Sequence, residues 1–206
     1  MNANESELLN RLHTGDADVL GDLLALHRAR LKTMVQLRMD RRMQGRVDAS
    51  DVIQDACLEA ATRVDDYVQK KPMTFFLWLR FLVGEQLITQ HRRHLGAAKR
   101  DARREISLFN RLPEASTAML AARLVGSLTA PSEAAVRTEN RLEVEEALNS
   151  MSDLDREIIA LRHFEQLSRA ETAELLDIQE SACSKRYVRA MQRLSEKFSP
   201  NSEPHS

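Results

Sequence analysis

The stretch SRAETAELLDIQESACSKRYVRAMQRL, residues 168–194, decides the fold of the C-terminal third of the chain. Ser168 followed by Glu171 is a capping-box pattern, and it opens a short helix carrying Ala173, Leu175 and Leu176. Asp177 to Glu180 reads as a turn, and Ser181 to Phe198 as a second, longer helix. A short capped helix, a tight turn and a longer helix form a helix-turn-helix pattern. The second helix carries Lys185, Arg186, Arg189, Arg193 and Lys197 against one acid, Glu196. Spacings of three, four and seven put Arg186, Arg189 and Arg193 near one face. Cys183, Val188 and Met191 fall off that face and are expected to pack inward. Ser181 and Ser184 are small enough to let the start of the helix approach a duplex, whose base edges such helices read. The bland alternative is an ordinary surface helix with a solvated basic face.

The helical reading covers residues 133–198 as a whole. Leu142, Leu148 and Met151 end one helix, and Ser152 or Asp153 caps the next, which carries Ile158, Ile159 and Leu161. Residues 5–105 read as a run of helices. Leu8, Leu9 and Leu12 mark the first, and Gly15 and Asp16 break it, with Asp16 or Asp18 as the next N-cap. Leu20, Leu23, Leu24, Leu31, Met34 and Val35 recur with a period near 3.6. A third helix starts near Asp48 or Ser50, Lys70 to Pro72 form a turn, and a fourth helix starts near Thr74. From about Ile106 to Ser132 the pattern weakens, and Pro113 and Pro131 flank a segment rich in Ser, Thr and Ala; this reads as a linker in which Met119 to Leu128 can form a short amphipathic helix.

The expected architecture is all-α: two small helical domains, 1–105 and 133–198, joined by a flexible linker at 106–132, the second domain containing the helix-turn-helix. Residues 199–206 are expected to form a disordered tail. About 26 linker residues span roughly 85 to 95 Å when extended, against about 70 Å for two turns of DNA. Two separate DNA contacts therefore require no dimer.

Composition agrees. The 206 residues are 43% hydrophobic and 30% charged, with 6 Gly and 5 Pro, a balance that favours helix. Two Cys make no disulfide framework, which points to a reducing compartment. The stretch from Phe75 to Val83 is interrupted by Arg80 and is too short to span a bilayer. The N-terminus MNANESELLN lacks the basic and apolar regions of a signal peptide, so a cytoplasmic protein without a membrane partner is expected. The net charge of −1 hides an uneven distribution.

A second basic cluster runs from His91, Arg92, Arg93 and His94 to Lys99, Arg100, Arg103 and Arg104. It follows a helix containing Phe75, Phe76, Trp78 and Phe81. Aromatic rings beside cations can hold unstacked bases of a single strand; the same rings at helical spacing can equally be core. Asp51, Asp55 and Glu59 stand at four-residue steps on one helix face, either solvated or docked on a basic partner. His91 and His94 lack the further ligands of a metal site, and no phosphate loop, nucleophile elbow or HExxH pattern occurs. No cofactor and no catalytic residues are expected.

These residues, in this order, resemble the bacterial sigma-70 family, in particular its two-domain extracytoplasmic-function group. LLNRLHTGDADVLGDLLALHRARL (8–31) resembles the start of the family's region 2. DVIQDACLEA (51–60) is similar to its polymerase-docking helix, and FFLWLRFLVGEQLITQHRR (75–93) to its promoter-melting and −10 segment. DREIIALRHFEQLSRAETAELLDIQESACSKRYVRAMQRL (155–194) is similar to region 4, which binds the −35 element. The resemblance implies a non-enzymatic sigma factor that binds core RNA polymerase and directs transcription initiation at promoter DNA, with an anti-sigma factor as a further candidate partner. It implies Asp51, Gln54, Asp55 and Glu59 as the polymerase-docking set. It implies Trp78, His91, Arg92, Arg93, Lys99 and Arg100 at the −10 element. For the −35 element it implies Arg169, Ser181, Ser184, Lys185, Arg186, Arg189 and Arg193. Glycine is usual in the family where Asp177 stands, and Ser where Gln179 stands. A homodimeric helix-turn-helix activator or repressor is the main rival; it leaves the 92–104 cluster and the docking helix unexplained. An enzyme built on His91 and His94, or an adaptor without a DNA role, explains less still.

Overall fold

In the computed structural model the described residues are 3–95, 115–128 and 134–198, apart from 17 and 44. They are helical throughout, without a strand, as the sequence predicts. The chain divides into two compact units, Met1–Pro113 and Glu114–Ser206.

The first unit holds α1 (Ala3–His13), α2 (Val19–Arg38), a 3-10 turn (Arg41–Met43), α3 (Ala49–Lys70) and α4 (Phe75–Leu95). Helix α2 packs on α1, α3 and α4, and α3 packs on α4. Of the apolar stripe predicted for α2, Leu20, Leu23, Leu31, Met34 and Val35 are buried in the core, and Leu24 is half-buried at its edge. Val52, Ile53, Ala56, Ala60 and Val64 give α3 its inner face. Its N-terminus is capped by Asp48, whose carboxylate accepts from Ser50 N at 2.8 Å. That hydrogen bond holds the Asp48 carboxyl below the usual carboxylate range. Helix α3 ends on Lys71 in the left-handed region at φ 40°. The start of α2 differs from expectation. Asp18 takes the N-cap position but has helical dihedrals and caps nothing, while Asp16 turns back to pair with Arg11 at 2.8 Å.

The second unit holds α5 (Thr117–Leu128), α6 (Ala134–Asn149), α7 (Asp153–Ile159), α8 (Arg169–Leu176) and α9 (Glu180–Phe198). Helix α5 is the short helix that the sequence allowed at Met119 to Leu128, begun two residues earlier. Leu120, Ala121, Leu124 and Val125 are buried, and α5 packs against α6. Its apolar face has a partner in α6, so an extended span does not apply to residues 117–128. Leu142 is 63% exposed and takes no part in the core, whereas Val144 and Leu148 of the same helix are buried.

Ser152 caps α7 by accepting from Asp155 N at 3.2 Å. The helix then widens into a π turn at Ala160–Phe164, in which Glu165 N reaches Ala160 O at 2.9 Å. Ser168 and Glu171 form the predicted reciprocal capping box of α8 at 3.1 and 2.8 Å. Asp177 closes α8 in the left-handed region at φ 52°, and Ile178 N returns to Ala173 O at 3.0 Å. Asp tolerates that conformation better than most residues, so the turn forms without the usual glycine. Ile158, Ala173 and Cys183, with Leu154, Leu176, Ile178 and Tyr187 packed around them, join α7, α8 and α9 into one core.

Candidate nucleic-acid interface

Helix α9 is amphipathic, and its inner stripe fixes what faces outward. Cys183, Ala190 and Leu194 are buried. Ser181, Lys185, Val188, Arg189, Gln192 and Arg193 are exposed. Cys183 packs inward as expected, and burial pushes its thiol pKa up. Met191 is half-buried. Val188 corrects the sequence reading, because it is 52% exposed. It stands across the helix from the Cys183–Ala190–Leu194 stripe, so no core lies on its side. The Ser184 hydroxyl donates to Glu180 O at 2.9 Å and so stays close to its own helix.

The Arg and Lys side chains between residues 153 and 194 divide into two groups. Arg156 donates to Leu148 O at 3.3 Å and Met151 O at 2.7 Å and pairs with Asp153, tying α7 to the end of α6. Arg162 donates to Leu167 O and lies 5.5 Å over the Tyr187 ring. Arg186 Nη1 pairs with Asp155 Oδ1 at 2.8 Å, across from α9 to α7. These three hold the unit together. Arg169, Lys185, Arg189 and Arg193 are exposed and have no carboxylate partner among the described residues. The predicted Arg186–Arg189–Arg193 row thus runs along the edge of the outward face, and Lys185 stands nearer its middle.

In the first unit the aromatic residues of α4 form a core. Phe75 and Phe76 are each 1% exposed. Trp78 is 6% exposed and stacks on Tyr67, with ring centroids 4.6 Å apart and planes at 24°. The structure therefore takes Trp78 out of the surface that unpaired bases could reach: two aromatic neighbours, Tyr67 and Phe75, already cover the indole. Phe81 is half-buried. The Tyr67 hydroxyl donates to Met73 O at 3.1 Å, and burial, with Glu5 adding to it, pushes its pKa up to about 12.

His91 is half-buried, with a buried Nε2 that has no hydrogen-bond partner among the described residues. Burial lowers its pKa, with Asp40 raising it and Arg42 lowering it further. Arg92, Arg93 and His94 follow as an exposed basic end of α4. Lys99 and Arg100 lie outside the described residues, as do Arg103 and Arg104.

On α3, Asp51, Gln54 and Asp55 are exposed on one face. Glu59 is on the flank, drawn to Arg63 at 2.6 Å, and Arg63 also meets Glu85 of α4 at 3.4 Å. Leu58 lies amid the acidic face and is 64% exposed. The acidic spacing and the resemblance of residues 51–60 both point to this face; neither singles out Leu58, though it falls three, four and seven residues from Asp55, Gln54 and Asp51. No group of three or more potential metal-ligating side chains occurs among the described residues. No helix among them is long and apolar enough to cross a membrane.

Residues 141–194 match the family model of sigma-70, region 4. They begin within α6 and end near the close of α9. No curated protein matches the chain. Among solved structures, CnrH in complex with the cytosolic domain of CnrY aligns over 96% of this chain and 99% of its own, with a TM-score of 0.51 and 20% identity, a likeness of fold. The sigma factor RpoE in complex with the anti-sigma factor NepR from Bartonella quintana aligns over 89% and 98%, with a TM-score of 0.46 and 17% identity.

Proposed function

We propose that this chain, a member of the sigma-70 family by the region 4 domain at residues 141–194, is a sigma factor of the extracytoplasmic-function type. It is a specificity subunit without chemistry of its own. The observation that carries this reading is that the region 4 match falls on the α7–α8–α9 unit whose outward face presents Lys185, Arg189 and Arg193. Helix α9 enters the major groove at the −35 element, with Ser181 and Lys185 toward base edges and Arg169, Arg189 and Arg193 toward bases or phosphates.

The first unit docks on core RNA polymerase through Asp51, Gln54, Asp55 and Leu58 of α3. A charged face around one exposed leucine suits an interface with a small apolar centre and a polar rim. The basic end of α4, from His91 to Arg93, receives the strand opened at the −10 element. Trp78 supports this surface from beneath. An anti-sigma factor is a further candidate partner, and the compartment is the cytoplasm, where polymerase works.

The test is reconstitution. Purified chain is added to core polymerase and a library of promoter fragments, and transcripts are sequenced. Initiation at a defined set of promoters that depends on the chain supports the reading. Sequence-specific binding of the free chain to a palindrome, with no effect on core polymerase, overturns it in favour of the homodimeric regulator.

A further inference from the structure

Arg186 belongs by sequence to the basic row of the recognition helix, yet its guanidinium is held by Asp155. The pair measures 2.8 Å, with side-chain exposures of 41% for Arg186 and 19% for Asp155. Both partners sit on fixed elements. Asp155 lies in the first turn of α7, and its backbone N–H is held by the Ser152 cap. Arg186 lies between Cys183 and Ala190, which anchor α9 in the core of the unit. Neighbouring Lys185 and Arg189 have no such partner among the described residues. An arginine already bonded to a carboxylate must exchange that bond for one to phosphate or base, and leaves a half-buried acid unpaired close to DNA when it does.

Resting on the sigma-factor reading, we infer that Asp155 is a positioning residue that withholds Arg186 from the duplex, so that recognition by α9 falls on Lys185 and Arg189 while Arg186 makes no phosphate contact. The consequence has an unusual sign. Removing an acid from α7 releases a cation on α9 and adds a phosphate contact, whereas removing the cation itself takes no phosphate contact away.

The experiment uses the full-length chain assembled with core polymerase. The probes are a duplex selected from a randomised pool by the wild-type complex, and the unselected pool itself. Affinity is measured against salt for wild type, R186A, D155A, D155N and the D155A/R186A double variant, with melting temperatures as the folding control. Each phosphate contact contributes about 0.9 to the slope of log affinity against log salt. The expected result is an unchanged slope for R186A and a slope steeper by about 0.9 for D155A. D155N should shift in the same direction, and the double variant should return to the wild-type slope. The single effect of lost acid repulsion is read from the double variant against R186A. A slope shallower by about 0.9 in R186A alone, or a D155A slope no steeper than that of the double variant, overturns the inference. A merely structural pair would lower the melting temperatures and leave the slopes together, which also overturns it. If wild-type complex enriches no sequence and binds neither probe, the sigma-factor reading itself has failed, a result separable from every pattern among the variants.

Discussion

Trp78 lies against Tyr67 at 4.6 Å with nearly parallel rings, and Tyr67 in turn anchors Met73 O in the corner between α3 and α4. The single tryptophan of the chain is therefore a packing residue that fixes the angle at which α4 leaves α3. Trp78→Ala should destabilise the first unit by about 3–5 kcal/mol, as large aromatic truncations do, whereas Trp78→Phe should cost much less. Because it is the sole tryptophan, its fluorescence reports on it directly. Emission should be blue-shifted, and neither iodide nor single-stranded DNA should quench it. Strong quenching by DNA would put the indole back on the binding surface.

The α3 face separates charge from apolar contact. Asp51→Lys with Asp55→Lys should weaken binding to core polymerase and leave helicity unchanged, since neither carboxylate has an ion-pair partner among the described residues. Leu58→Ala should cost about 1–2 kcal/mol of binding, roughly tenfold, without loss of stability, because the side chain is 64% exposed. Glu59→Gln should do less, as that carboxylate already serves Arg63. Equal affinities across all variants, measured with purified core enzyme, would remove α3 from the docking surface.

Much of this was legible beforehand, and the reasons differ by element. The α8 cap was readable because a capping box is a local pattern of two residues three apart. The left-handed Asp177 was legible only through the resemblance, because the family usually has glycine where it stands. Val188 was misplaced because counting spacings from the basic residues does not say where the core stripe lies; Cys183, Ala190 and Leu194 decide it, and two of these three are small or only weakly apolar. Helix α5 was legible only as an option at Met119 to Leu128, because its helical signal depends on burial against α6, a partner that its own composition does not reveal. The Arg186–Asp155 pair joins residues 31 apart, and no local pattern marks it.

The turn of the helix-turn-helix offers a stability test in both directions. Ser168→Ala removes the acceptor for Glu171 N and should cost about 1 kcal/mol. Asp177→Gly relieves a left-handed side-chain residue and should be neutral to stabilising by up to about 1 kcal/mol. Thermal unfolding of the two variants should therefore move in opposite senses; a fall in both would mean that the Asp177 side chain has a favourable role that outweighs its backbone cost.

Acid should weaken the first unit. His91 has a folded pKa below the ordinary imidazole value of ~6.5, chiefly through burial, and His13 shifts the same way for the same reason. The unfolded chain then binds more protons than the native one below ~6.5, so stability falls with decreasing pH until both folded values are passed. His91→Gln should flatten that dependence when denaturant midpoints are compared above and below pH ~6.5. An unchanged pH dependence would show that His91 takes up its proton without cost.

The two basic surfaces should fail differently in initiation. Lys185 and Arg189 stand on the exposed face of α9, where a well-placed bidentate arginine gives about 1–3 kcal/mol of base discrimination. A phosphate contact instead changes mainly the salt dependence. Lys185→Ala or Arg189→Ala should reduce initiation at promoters that depend on the −35 element, with polymerase binding intact. Arg92 and Arg93 end a helix whose buried face is tied to the aromatic core, and they present charge at its exposed tip. Replacing both with Ala should leave duplex binding by the holoenzyme nearly unchanged and impair open-complex formation. Permanganate footprinting of unpaired thymines, beside duplex affinity, separates the two outcomes. Proportional loss of melting and duplex binding in both variant sets would mean that one composite surface handles DNA, and that the division of labour between the two units is wrong.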